Sequence, residues 1–269
     1  MEIARAALLG IIQGLTEFLP VSSSGHLVIA QKILHFSEPP VLFDITLHLA
    51  TALAVIAVYY REIWELIIAL FKGRILVTKK GYRLSSKKFH YVLVLIVALI
   101  PAGLIGYFFN DYITKAFSNL LVVSIGLFIT TVILLLSKYF NNRKGDINFK
   151  NGTIIGIAQA FAIVPGISRS GSTIFAGMAS GIEGKKAADF SFLLAVPIII
   201  GAFIFELKGI VNSHVSIVTL ATGFIFSFVS GYFSIKLLLD FIRKGKFYYF
   251  AYYTGTMSVL SLILFFTMR

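Results

Sequence analysis

Six runs of about 20 apolar residues dominate this sequence: roughly 43–60, 89–109, 117–139, 189–207, 215–239 and 248–267. A helix of that length crosses about 30 Å of hydrocarbon. The chain is 58% hydrophobic and only 13% charged, where soluble domains carry about 25% charged residues. It is therefore expected to be an all-α integral membrane protein. The absence of cysteine excludes disulfides and thiolate metal sites. The formal charge of +12 would point to nucleic acid in a soluble chain. Here basic loops account for it, and no nucleic-acid partner is expected. The start, "MEIARAALLGIIQGLTEFLP", lacks the basic n-region and small-residue cleavage site of a signal peptide.

Two further pairs of apolar segments are too short to span. Residues 3–19 run into Pro20 and a serine cluster, and 152–164 run into "VPGISRSGS", Val164 to Ser172. Each is followed by a second short segment, roughly 25–36 and 171–182. Gly/Pro-interrupted pairs of this kind predict re-entrant hairpins over 3–36 and 152–182. The hairpins resemble each other at an offset of 146 positions: Gly10 matches Gly156, Gln13 matches Gln159, Ser22 matches Ser168, Ser24 matches Ser170 and Gly25 matches Gly171. After a one-residue slip, "DITLHLA" from Asp44 matches "DFSFLLA" from Asp189. The chain divides into two repeats, 1–147 and 148–269, each one hairpin plus three spans.

Basic residues set the orientation. Lys72, Arg74, Lys79, Lys80, Arg83, Lys87 and Lys88 mark one cytoplasmic loop. Lys138, Arg143, Lys144, Lys150, Lys185, Lys186, Arg243, Lys244 and Lys246 fall on the same side by span count, while the loops at 110–116 and 208–214 are poorer in such residues. The first repeat then begins outside and the second inside, so the repeat is inverted about an axis in the membrane plane. Both termini lie outside, and the hairpin tips approach each other near the midplane.

Ionisable groups at that depth are costly and usually functional. The rule singles out Glu17, His26 and Arg169. Both tips, "SSSGH" and "SRSGST", carry hydroxyls and glycine and lead into a half-helix N-terminus, a favourable place for an anion. Arg169 adds a guanidinium fork suited to phosphate. Ser22, Ser24, Ser168, Ser170 and Thr173 are candidate phosphate-binding hydroxyls. The tips are not equivalent: Glu17 aligns with Ile163, Ser23 with Arg169 and His26 with Ser172. Reaction from the first tip and charge neutralisation from the second is the division this predicts. Gln13 and Glu17, four apart on one helical face, are candidate ligands for a hard divalent cation. Ser23 with a neighbouring histidine is the first candidate nucleophile. His26 is a candidate acid or base, and an alternative nucleophile. Asp44 and Asp189 read as structural, and His48, one turn from Asp44, as a packing residue.

"QGLTEFLPVSSSGHL" and "PGISRSGST" resemble the two signature regions of the undecaprenyl-diphosphate phosphatase family, the bacitracin-resistance type. The first is similar to its (E/Q)xxxE motif, at Gln13 and Glu17, followed by PxSSxGH; the second to PGxSRSxxT, ending at Thr173. The resemblance covers the whole chain. It implies an inverted-repeat membrane enzyme in the cell membrane that removes the terminal phosphate of a C55 isoprenoid diphosphate. That reaction recycles a lipid carrier for cell-wall polymers. The resemblance also implies a site opening to the outer face, dependence on Mg2+ or Ca2+, and functional roles for Glu17, Ser23, His26, Ser168, Arg169 and Thr173. The isoprenoid diphosphate and membrane lipid are the expected partners, and a homodimer is compatible with them. The competing expectation is a transporter or flippase of an isoprenoid phosphate lipid, since broken-helix inverted repeats are common among transporters. The phosphatidic-acid type of membrane phosphatase fits poorly, because Arg169 is followed by "SGSTIFAGM" and the next histidine is His214.

Overall fold

The computed structural model describes residues 2–34, 40–78, 81–117, 119–206 and 216–267. The first hairpin pairs α1 (Glu2–Phe18) with α2 (Ser23–Leu34). Then come α3 (Pro40–Val58), α4 (Tyr60–Lys72), two short strands β1 (Ile75–Thr78) and β2 (Gly81–Leu84), α5 (Lys87–Phe108), α6 (Asn110–Phe117) and α7 (Leu120–Ser137). The second hairpin pairs α8 (Phe149–Phe161) with α9 (Arg169–Ala179), followed by α10 (Gly184–Glu206), α11 (Ile217–Arg243) and α12 (Phe250–Thr267).

Six helices among the described residues are long and apolar enough to cross a membrane, within a residue or a few of the expected runs. Positions 35–36, 207, 208–214 and 215, which bear on hairpin, span and loop limits, lie outside the described residues. The all-α expectation needs one correction. The basic loop holds an antiparallel β1–β2 pair, with Thr78 opposite Gly81. It also holds α4, to which the sequence reading assigns no element. The preceding helix breaks at Tyr59, and α4 buries no residue fully. Arg61, Glu62, Glu65 and Lys72 share one side of α4, and Trp64, Ile67 and Phe71 lie exposed on the other.

Close helix packing positions the hairpins. Helix α1 lies against α11 and α8 lies against α5, so each hairpin packs on a span from the other half of the chain. Small residues permit this. A Cβ on Gly156 would stand 2.5 Å from the Ala98 carbonyl oxygen, and one on Gly10 would collide with that of Gly223. Hydroxyls stitch the helices together. Ser234 Oγ donates to the Leu15 carbonyl at 2.8 Å and Ser227 Oγ to that of Leu47 at 2.9 Å. Ser124 and Ser258 donate to each other's carbonyls, both at 2.8 Å. Bonds of this type contribute about 0.6 kcal/mol each on average. The core between them includes Phe18, edge-on to Phe192 at 5.5 Å, with Phe190, Ile174 and Leu238. Phe18 anchors the end of α1, immediately after Glu17.

Candidate active site

The two hairpin turns meet. Pro20 ends α1, and the turn to α2 places Ser22 at φ 68°, among the described residues the one non-glycine at positive φ. Such a conformation costs of order 1–3 kcal/mol and persists only where surroundings hold it. They do so here: the Ser22 carbonyl accepts from His26 N at 3.2 Å and from His26 Nδ1–H at 2.8 Å. In the other turn Gly166 takes φ 91°, and a side chain there would strike the backbone of Val123 and Gly126. Thr130 of α7 fastens this second turn. Its Oγ1 donates to the Gly166 carbonyl at 2.9 Å and accepts from Ser168 N at 2.9 Å. Ser168 caps α9, accepting from Gly171 N at 3.1 Å.

Glu17 is the centre of the arrangement. Its carboxylate is buried and ion-paired through Oε1 to Arg169 Nη2 of the opposite hairpin. Its Oε2 accepts from Ser23 Oγ at 2.6 Å and from Gln13 Nε2 at 2.9 Å. His48 Nε2 of α3 lies 3.6 Å from the same oxygen. Gln13, Glu17, Ser23 and Arg169, expected from sequence, are thus brought together. Ser23 and Ser24 are half-buried, and the Arg169 side chain keeps 17% exposure, so a ligand has access to them.

His26 is held apart from this group. Its Nδ1–H is taken by the Ser22 carbonyl, and Tyr253 of α12 donates its hydroxyl to Nε2 at 2.7 Å while stacking on the ring. Neither ring nitrogen is directed to Ser23. The hydroxyls read as phosphate ligands also divide. Ser24 Oγ stays at the half-buried rim, 3.3 Å from Ser22 Oγ. Ser168, Ser170 and Thr173 are fully buried and engaged within the protein. Ser170 Oγ donates to the Leu19 carbonyl at 3.2 Å, joining the hairpins. Thr173 Oγ1 lies 2.6 Å from Ser191 Oγ and donates to the Arg169 carbonyl at 2.8 Å. As placed, these three brace the Arg169 turn.

Sequence reasoning read His48 as a packing residue and did not name Tyr253 or Thr130. His48 carried a signal: an imidazole within an apolar span is costly unless it has a polar partner. Tyr253 and Thr130 carried none, because their partners lie 227 and 36 residues away. For a cation, the relevant observation is Gln13 Oε1, which is buried beside Glu17 without a hydrogen-bond partner. Among the described residues no three His, Cys, Asp or Glu side chains converge. A cation here would therefore rely on the amide oxygen and on ligand oxygens together with Glu17.

Six apolar helices and a buried acid–guanidinium–hydroxyl cluster where two helical hairpins meet define a multi-pass membrane protein with a buried polar site. The chain belongs to the family described as Bacitracin resistance protein BacA, which it matches over residues 6–260. It is 41% identical to the undecaprenyl-diphosphatase of Alkaliphilus metalliredigens, over 98% of each chain. It is 39% identical to that of Halothermothrix orenii over 98% of each, and 40% identical to that of Treponema denticola over 94% of each.

Proposed function

We propose that this chain is a membrane hydrolase converting undecaprenyl diphosphate to undecaprenyl phosphate and inorganic phosphate, as the names of its relatives describe. One observation carries the reading: the Ser23 hydroxyl donates to a Glu17 carboxylate that is paired to Arg169 across the two hairpins. A lipid carrier would use a phosphate cradle but has no need of a hydroxyl aimed at a buried carboxylate.

The terminal phosphate takes up Arg169, whose fork neutralises the equatorial oxygens. Glu17 loses that charge partner and accepts the Ser23 proton. Ser23 Oγ forms a bond to the terminal phosphorus as the bond to the bridging oxygen breaks, leaving undecaprenyl phosphate. Water then hydrolyses the phosphoserine and releases inorganic phosphate. Ser24 and the backbone N–H groups at the start of α2 flank the phosphate. His26 positions the Ser22 turn, with Tyr253 fixing its ring.

The oxygen donors of Gln13 and Glu17 fit a hard divalent ion, Mg2+ or Ca2+, because Gln13 Oε1 is orphaned beside the carboxylate. When bound, the ion supplies positive charge against the diphosphate oxygens. The chemistry draws on one chain, so a homodimer is not required for it.

The inverted repeat, both termini outside and a site opening to the outer face of the cell membrane belong to the same proposal. The basic clusters and the reciprocal packing of α1 on α11 and α8 on α5 support them. The chain has no cysteine, so single cysteines report cleanly. An impermeant maleimide on intact cells should label Lys115→Cys and spare Lys144→Cys; the opposite pattern would reverse the topology. The chemical test is a quench during turnover of lipid labelled in the terminal phosphate. Radiolabel on Ser23 is expected. Label on His26, or none with turnover intact, would remove the serine mechanism.

A further inference from the structure

We infer that His48 is a third protein ligand of the divalent cation, completing a Gln13–Glu17–His48 site that draws on α3 as well as the hairpin. The inference rests on the proposed cation at Gln13 and Glu17 and adds a residue that neither motif contains.

Three observations converge on Glu17 Oε2. First, His48 Nε2 stands 3.6 Å from it, and the Gln13 amide nitrogen 2.9 Å from it. Two donors on one ion at about 2.1 Å each stand roughly 3 to 3.5 Å apart. Second, the orphaned Gln13 Oε1 belongs to that same amide. Rotating the amide by half a turn puts this oxygen where the nitrogen now stands, so that a cation between it and Oε2 would have an oxygen donor on each side. Third, the tautomer of His48 suits a ligand. Its Nδ1–H donates to the Asp44 carbonyl at 2.7 Å, so in the neutral ring Nε2 is the free acceptor, 3.6 Å from the Glu17 carboxylate. Two acceptors facing each other at 3.6 Å have nothing to share without a cation or proton between them. Metal-bound histidines almost always donate the second ring nitrogen to a carbonyl or carboxylate in this way. Asp44 is itself tied to α2 by Gln31 Nε2 at 2.6 Å, so α3 is held in register with the hairpin. The His48 side chain is 30% exposed, so it is not sealed off from an ion. Before substrate binds, Arg169 is on the other oxygen, Oε1, so cation and guanidinium do not compete for one atom, and the cation would share Oε2 with the Ser23 hydroxyl.

An imidazole in an otherwise oxygen site shifts preference from Ca2+ toward first-row ions such as Mn2+. That makes Mn2+ the probe. The purified full-length chain loaded with Mn2+ should show, by pulsed EPR, the 14N coupling of a directly bound imidazole. Labelling all histidines with 15N should convert it to the 15N pattern, a readout needing no variant. The coupling should disappear in His48→Gln and His48→Ala, survive in His26→Ala, and Mn2+ binding should weaken about tenfold or more. Mn2+ bound in a Glu17-dependent way without nitrogen coupling would overturn the His48 ligand while leaving the Gln13–Glu17 cation standing. Coupling that persists in both His48 variants would overturn it too. Mn2+ binding indifferent to Glu17→Gln would remove the cation reading and this inference with it, whereas phosphate release measured separately decides the hydrolase reading.

Discussion

Glu17 of α1 and Arg169 of α9, 152 residues apart, form a buried ion pair that closes the two hairpin turns on each other. Removing one partner of a buried pair leaves an uncompensated charge and costs about 3–5 kcal/mol. The pair therefore serves the fold as well as the chemistry. Arg169→Lys keeps the charge but not the fork. It should lower turnover about 100-fold or more with a smaller effect on melting temperature. Turnover within twofold of wild type would remove the guanidinium from phosphate binding.

Ser23→Ala removes the hydroxyl that donates to Glu17 Oε2 at 2.6 Å. Phosphate release should fall at least about 1,000-fold, the order seen when a nucleophile is lost. Ser24→Ala, whose hydroxyl lies 3.3 Å from that of Ser22 and does not donate to Glu17 among the described contacts, should cost about tenfold or less. A reversed order of effects would move the nucleophile to Ser24.

Chelation should abolish turnover, with added Mg2+ or Ca2+ restoring it. The same treatment of Gln13→Leu should show a requirement for roughly tenfold more cation, because the amide oxygen is gone. Full activity in EDTA would take the cation out of the mechanism.

Thr130 bonds the Gly166 carbonyl and Ser168 N in the second turn. Thr130→Val keeps the shape and leaves both groups unsatisfied, at about 1–3 kcal/mol. Lower thermal stability and reduced turnover are expected together, with no contact between Thr130 and substrate. An unchanged melting temperature would show that the turn is held elsewhere.

Gly156 packs against Ala98, where an added Cβ would sit 2.5 Å from backbone oxygen, whereas Gly103 has nothing within 4 Å. Gly156→Leu should force α8 from α5 and lower the yield of folded protein in detergent. Gly103→Leu should be tolerated. Equal behaviour of the two would contradict the close packing of the hairpin on α5.

Much of this was legible in the residues alone. The runs at 43–60 through 248–267 appear as helices because hydropathy over about 20 residues is a local property that the bilayer selects. The turns at Pro20 and Pro165–Gly166 follow from local backbone chemistry. The cluster of Glu17, Ser23 and Arg169 was recognisable because polar groups in apolar sequence need a reason. Helix α4 was not, since Tyr60–Lys72 follows the apolar run directly and the break at Tyr59 has no proline or glycine to mark it.

Sequence by itself determined the spans, the broken hairpins and the chemistry available at their tips. Only the tertiary structure decided which groups touch. It aimed Ser23 at Glu17, locked His26 between the Ser22 carbonyl and Tyr253, turned Ser168, Ser170 and Thr173 inward as braces, and brought His48 to the carboxylate. The physical reason is that such partners come from helices distant in sequence. Their approach is set by glycine and serine contacts between helix backbones, and those contacts leave no periodic trace in any one segment.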